Sequence, residues 1–249
     1  FNRLTQDEKY LYFAPRGEKT EIGYFIRTPL DNPGVFERYG VPIGDSQLDT
    51  SGNFSMTYVP EWKRFFAYTA GSKVWSWGHG DEKWTLIGKM PADEKGRRGS
   101  GYAGVLVWNP VKKELVIAGG QTFGSSAKSG NRVARITKPE GPIEELPDMK
   151  NKEAKPLHYV SRQAKMMIDP RDGSYLLIPV NDTKKIYRNT SAGGEYTLYE
   201  DLAEIKPFGR WEIYAPWAMV PDTDVLVFVS HIKGVVLHRM KPLPDMQTK

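Results

Sequence analysis

The chain of 249 residues contains no cysteine. Disulfides, thiolate nucleophiles and zinc–thiolate sites are thereby excluded. Long apolar runs are missing as well, and no stretch reaches the roughly 18 residues that a membrane-spanning helix requires. Helical periodicity is scarce: only Glu200-Asp201-Leu202-Ala203-Glu204-Ile205 reads as a turn or two of helix. No basic run exceeds two residues, and the aromatics fall mostly inside strand patterns, which argues against nucleic acid as a partner. The alternating Asp or Asn residues of a calcium loop are absent. Gly78-His79-Gly80 and Gly119 to Gly124 lack the strand-to-helix context of a phosphate site. No metal and no cofactor is expected.

Lys and Arg number 35 against 30 Asp and Glu, giving a net charge of +5. The sequence pI is near 9.1. That balance favours anionic partners, although an excess of this size is also ordinary scatter.

A repeat organises the chain. Met56-Thr57-Tyr58-Val59-Pro60 leads through a polar turn to Phe65-Phe66-Ala67-Tyr68. Leu106-Val107-Trp108-Asn109-Pro110 leads in the same way to Leu115-Val116-Ile117, and Met166-Met167-Ile168-Asp169-Pro170 to Tyr175-Leu176-Leu177-Ile178. Trp217-Ala218-Met219-Val220-Pro221 leads to Val225-Leu226-Val227-Phe228-Val229. The four prolines are spaced 50, 60 and 51 residues apart. A near-fixed period in this range marks a repeat architecture. The first strand of each unit is apolar throughout, which suits a strand covered on both faces. Proline cannot donate to a ladder, so it sits where that strand ends. Asn109 and Asp169, just before their prolines, read as turn caps.

Third strands follow at 73–77, 132–136, 185–188 and 234–239, and more polar fourth strands at 83–87, 141–146 and 195–199. Four antiparallel strands grading from apolar to polar make one β-propeller blade. A further unit lies at the N-terminus, with strands at 10–13, 21–27 and 35–39. The fold class is therefore all-β: one propeller domain over 1–249, with units at about 1–45, 52–91, 101–149, 160–205 and 211–242. The first unit shows almost no inner strand, because Leu4-Thr5 holds the place of Val59-Pro60. The last unit shows no outer strand. These incomplete ends fit a piece of a larger propeller. Trp108, Met166 and Trp217 are expected between blades.

Functional residues concentrate on loops held by a rigid scaffold. In a propeller, the loops entering inner strands and those joining second to third strands share one face. His158, Tyr159 and Arg162 map there, as do Arg210, Trp211 and Tyr214, then Arg98, Gln121, Asn181 and His231. Two of the four histidines thus reach this face; His79 falls on the opposite one and His238 lies within a third strand. Histidine is the usual general acid or base near neutral pH. His158 or Tyr159 could take a proton from a uronic acid whose carboxylate Arg162 neutralises, a β-elimination. Arg210, Trp211, Tyr214, Gln121, Asn181 and Arg98 would bind the sugar. Equally, His158 and His231 are rim residues bonded to backbone.

Ala118-Gly119-Gly120 after the strand Leu115-Val116-Ile117 resembles the double-glycine strand end of Kelch repeats, and Trp84 and Leu146-Pro147 match the later part of that repeat. The resemblance covers the fold and one unit in five. The mouth set of His, Tyr and Arg is similar to that of propeller polysaccharide lyases of the ulvan-lyase kind, which implies His158 and Tyr159 as proton-transfer candidates and Arg162 or Arg210 as carboxylate neutraliser, with no family motif matched. It implies cleavage of a uronic-acid-containing anionic polysaccharide. The alternative is a non-catalytic Kelch-like propeller that binds a protein or glycan partner, since fold alone does not choose between them. A structural array of blades within a larger assembly is the third reading. A secreted or periplasmic location is expected, although the lack of cysteine does not fix a compartment.

Overall fold

The computed structural model describes residues 4–13, 24–41, 55–91, 100–121, 130–157, 165–179, 184–202, 217–221, 223–230 and 234–243. They build five blades in chain order. Blade 1 holds β1 (Leu4–Gln6), β2 (Tyr10–Phe13), β3 (Tyr24–Pro29) and β4 (Glu37–Gly40). Blade 2 holds β5 (Ser55–Val59), β6 (Arg64–Tyr68), β7 (Lys73–Gly78) and β8 (Thr85–Lys89). Blade 3 holds β9 (Ser100–Asn109), β10 (Glu114–Gln121), β11 (Val133–Ile136) and β12 (Glu144–Leu146). Blade 4 holds β14 (Lys165–Ile168), β15 (Tyr175–Ile178), β16 (Lys185–Asn189) and β17 (Glu195–Asp201), with β13 (Lys150–Asn151) added parallel to β17. Blade 5 has three strands, β18 (Trp217–Met219), β19 (Val225–Ser230) and β20 (Gly234–Arg239). The innermost strands meet in sequence, β1 against β5, β5 against β9, β9 against β14 and β14 against β18. This is a five-bladed β-propeller of antiparallel sheets.

Strand geometry explains how one blade serves two neighbours. Successive side chains point to opposite faces, so adjacent apolar residues enter different cores. Phe65 and Ala67 join Tyr12 and Phe25 between blades 1 and 2. Phe66 and Tyr68 join Leu106, Leu115 and Ile117 between blades 2 and 3. Val105, Val116 and Ala118 face Met166, Tyr175 and Leu177 between blades 3 and 4. Met167, Leu176 and Ile178 face Leu226 and Met240 between blades 4 and 5. Met166 is buried as expected, while Trp108 and Trp217 are half-buried against their inter-blade cores. Close approach of blades sets one glycine: a Cβ on Gly104 would come within 2.4 Å of the Tyr68 ring.

The turn prolines behave as the sequence implies. Pro60 opens a short 3₁₀ turn closed by Lys63 in the left-handed region. Asn109 Oδ1 accepts the amides of Val111 and Lys112, both at 3.2 Å. Its Nδ2 donates to the Gly173 carbonyl of blade 4 at 2.8 Å, a tie between neighbouring turns. Asp169 accepts two hydrogen bonds from the Arg171 guanidinium, at 2.8 and 2.6 Å.

Three expectations need correction. Blade 1 has an inner strand after all: β1 pairs Leu4 with Phe13 and Gln6 with Leu11, so the turn falls at Asp7 rather than at Leu4-Thr5. Glu200 and Asp201 extend β17 instead of starting a helix. Pairing with Ile186 and Lys185 overrides their weak helical pattern. Blade 4 also gains β13, which is too short for periodicity to reveal. The missing outer strand of blade 5 is as expected among the described residues. Also among these residues, no helix is long and apolar enough to cross a membrane.

Two buried tyrosines give opposite predictions. The Tyr68 hydroxyl has no hydrogen-bond partner among the described residues. The Tyr175 hydroxyl donates to buried Glu114 at 2.6 Å. Tyr68→Phe should leave the unfolding free energy unchanged or raise it by about 1 kcal/mol, whereas Tyr175→Phe should lower it by about 1–3 kcal/mol. Denaturant titrations of both variants check this. Equal losses would show that the two hydroxyls are equally well satisfied.

Candidate functional site

A cleft of about 690 Å³ opens where the first-to-second-strand turns of blades 1 and 2 meet the third-to-fourth-strand turn of blade 2. This is the face opposite to the one favoured by the sequence. Its walls carry Tyr10, Tyr12, Tyr39 and Tyr58, with Arg27, Asp7 and His79 between them and Lys9 and Lys63 at the rim.

Asp7 is fixed by its own turn. Its Oδ1 accepts the amides of Lys9 and Tyr10, each at 2.7 Å. That leaves Oδ2 for the cleft, where it accepts the Tyr12 hydroxyl at 2.5 Å and lies 3.3 Å from His79 Nε2. Burial pushes the Asp7 carboxyl up, but hydrogen bonds from Tyr12, Lys9 and Tyr10 and the charge of His79 outweigh it. The group stays below its usual value.

His79 is placed by the turn after β7. Asp81 accepts the Gly78 amide at 2.9 Å and Arg64 at 2.6 Å, and its carbonyl accepts Trp77 Nε1 at 2.9 Å. This frame points His79 back over blade 1. Its Nδ1 lies 2.5 Å from the Tyr39 hydroxyl. Burial pushes the phenols of Tyr12, Tyr39 and Tyr58 above their ordinary value, and the Asp7 carboxylate adds to the effect in each. All three therefore stay protonated near neutral pH. The Tyr39 hydroxyl and Nδ1 share a hydrogen bond whose donor depends on the imidazole tautomer, while Nε2 faces Asp7. Aromatic rings of Tyr12, Tyr39, Tyr58, Phe65 and Trp77 surround the imidazole, with centroids 5.3–6.2 Å away.

Arg27 lies between two tyrosines. Its guanidinium carbon is 4.1 Å from the Tyr10 ring centre and 3.7 Å from that of Tyr39, and its Nε donates to Glu37 at 2.5 Å. Cation–π contacts of this kind hold the rings and the guanidinium in one rigid stack.

The arrangement presents rigid groups with an apolar ring and a polar tip. Both imidazole nitrogens are engaged, and Asp7 is occupied on both oxygens. Among the described residues, no three His, Asp or Glu side chains converge as metal ligands. A second hollow of about 340 Å³ beside β13 and β17 is lined by Lys152, Lys155 and Lys185. There Lys155 pairs with Glu153 at 3.1 Å in an exposed position, a contact that contributes little.

Of the residues selected from the sequence, His158, Tyr159, Arg162, His231, Arg210, Trp211, Tyr214, Asn181 and Arg98 lie outside the described residues. Gln121 ends β10, paired with Ser100, and its side chain is likewise outside the description. His238, assigned to a third strand, is indeed in β20, where it lies 2.9 Å from Glu200 of blade 4. Reasoning from the sequence missed the cleft. The signals present were the alternating Tyr10 and Tyr12 and a histidine flanked by glycines, Gly78-His79-Gly80.

The network sets a pH dependence. A carboxyl held below its unfolded value contributes stability in full above about pH 4 and loses it as the pH falls through its lower folded value. Asp7→Asn should therefore be less stable than the parent by about 1.5–3 kcal/mol at pH 7. The gap should close in acid, well below pH about 4. Denaturant midpoints measured across that range decide it; a gap independent of pH would remove Asp7 ionisation as the cause.

Comparison with known proteins adds the fold and nothing finer. No family model matches the chain, and no curated protein matches it. Among solved structures, it is similar to the β-propeller domain of Myceliophteria thermophila Cps50 (Swd1), at TM-score 0.56 and 10% identity, covering 94% of this chain and 68% of that one. A chain of the mitotic checkpoint complex matches at TM-score 0.54 and 10% identity, over 96% of this chain and 61% of that one. A chain of the nidogen/laminin complex matches at TM-score 0.54 and 11% identity, over 95% and 74%. At such identities the likeness carries the architecture alone: this chain is a β-propeller.

Proposed function

We propose that this chain is a non-catalytic propeller that binds a partner protein through the tyrosine-lined cleft between blades 1 and 2. The observation that carries the reading is the commitment of the Asp7–His79 pair at the centre of the cleft. Asp7 and His79 are spent on Tyr12, Tyr39 and backbone amides, so neither is left free to act as a base on a substrate. What the cleft offers instead is Tyr10, Tyr39 and Tyr58, half-buried, the first two stacked with Arg27. Tyrosine and arginine are the residue types that dominate binding energy at protein interfaces, because they present large rigid surfaces with polar tips. Two of the similar solved structures, the mitotic checkpoint complex and the nidogen/laminin complex, are assemblies of proteins, which favours the same reading here.

The lyase reading, cleavage of an anionic polysaccharide by His158, Tyr159 and Arg162, has no observation in its favour. Its residues lie outside the described part of the chain.

Displayed random peptides, selected on the parent protein, supply the test. Peptides that bind the cleft should lose at least about tenfold in affinity on folded Tyr58→Ala, the behaviour of a hot-spot tyrosine. Selected peptides that bind Tyr58→Ala as tightly as the parent would sink the cleft as the binding site. Unsaturated uronate absorbance from the parent on an acidic polysaccharide would restore the lyase.

A further inference from the structure

The cleft between blades 1 and 2 narrows the kind of partner segment that fits it. The turns that bound it, at 7–9, 60–63 and 79–84, are all described. Its side chains of fixed charge balance: Lys9, Arg27 and Lys63 stand against Asp7, Glu8 and Glu37, the last being the carboxylate paired with Arg27. Neither sign of charge on a ligand is therefore favoured. A ligand cation also finds its seat taken. Facing aromatic rings attract cations, but the Arg27 guanidinium already lies 4.1 Å from the Tyr10 ring centre and 3.7 Å from that of Tyr39.

Hydrogen-bond donors are what the walls have left to give. The hydroxyls of Tyr12 and Tyr39 are engaged with Asp7 and His79. Those of Tyr10 and Tyr58 bond to none of the described residues, although their rings are half-buried in the cleft wall. Asp7, by contrast, has both carboxylate oxygens occupied as acceptors. The cleft thus combines tyrosine rings, balanced charge and two uncommitted hydroxyls that can donate.

Peptide backbones meet such a surface differently. A helix uses its carbonyls internally. A strand adds to a free sheet edge, whereas this cleft opens at turns. A polyproline II segment makes no internal hydrogen bonds, so its carbonyls are free to accept, and its proline rings pack on aromatic walls. It is also preformed, which cuts the ordering cost of binding.

We infer that the partner segment entering the cleft is proline-rich, its rings packed against the tyrosine rings and its carbonyls accepting from the hydroxyls of Tyr10 and Tyr58. This rests on the cleft being the protein-binding site and adds what that site selects.

The peptides that decide it are those selected on the parent from an unbiased displayed library whose binding weakens on Tyr58→Ala. They should be enriched in proline, with spacings such as Pro-x-x-Pro. Tyr10→Phe and Tyr58→Phe keep the rings and remove the donors. Each should weaken a synthetic copy of the tightest peptide about two- to tenfold. Circular dichroism confirms that both variants are folded. The Kd should change by less than about twofold between about 50 and about 500 mM NaCl, since screening leaves an uncharged ligand untouched. Cleft-dependent peptides without proline enrichment overturn this inference and leave the cleft as the binding site. So does an affinity that neither Phe variant weakens, or one that salt lowers about tenfold. Selected peptides indifferent to Tyr58→Ala, or a selection that yields no binder, remove the site and this inference with it.

Discussion

A sheet held between two other sheets has no face to give to water, and the fold follows from that constraint. In blade 2, Phe65 and Phe66 are neighbours in sequence and both fully buried, yet they belong to different cores. Leu176 and Leu177 of blade 4 divide in the same way. Half-buried sheets alternate apolar with polar residues, whereas these inner strands are apolar without a break. The polar residues are displaced to the strand ends, where Asn109 and Asp169 satisfy turn amides and Arg171. Packing of successive blades thus fixes both the apolar runs and the position of the turns between them.

The cleft is a by-product of the most aromatic of these junctions. Phe25, Phe65, Trp77 and Trp84 fill the interior between blades 1 and 2, with ring centroids 4.9–6.0 Å apart along their contacts. At the turn end the rings become tyrosines, and a hydroxyl at the edge of an apolar core must find a partner. Tyr12 finds Asp7 and Tyr39 finds His79. The Tyr39–His79 bond, together with Trp84 Nε1 to the Val41 carbonyl at 3.1 Å and the Tyr58 amide to Thr5 Oγ1 at 2.8 Å, ties blade 1 to its neighbour. The same groups therefore hold a blade in place and shape a recognition surface.

Much of this was legible in the residues. The apolar runs before Pro60, Pro110, Pro170 and Pro221 locate four inner strands, and the third strand of each unit falls close to its observed place. Legibility failed where pairing, rather than pattern, decides the structure. β1 is three residues long and has no proline to mark its end. β13 is two residues long and owes its existence to β17. The cleft was illegible for another reason. Its residues come from positions 7, 10, 12, 27, 39, 58 and 79, and no spacing links them until blades 1 and 2 are packed. Expectation also went to the loops entering the inner strands, where His158 stands close to Arg162 in sequence. His79 stands apart from them, and its partners are assembled only by the turn that Asp81 closes.

The end blades sharpen the point. A middle blade is held by apolar clusters on both sides, but among the described residues blade 5 shares one, with Leu226 and Met240 against blade 4. Polar bonds reinforce it there. Glu200 of blade 4 reaches both His238 Nε2 at 2.9 Å and the Lys241 amide at 2.5 Å. Arg171 adds a bond to the Lys241 carbonyl at 3.2 Å. Burial alone would push the Glu200 carboxyl up, but the bonds from His238 and Lys241 bring it below its usual value. The two end blades thus share a device: a largely buried carboxylate, Asp7 in blade 1 and Glu200 beside blade 5, with a histidine from the neighbouring blade brought against it. In a fold built by repetition, the repeat supplies the apolar junctions. Charged ties between blades add to the hold on blades 1 and 5.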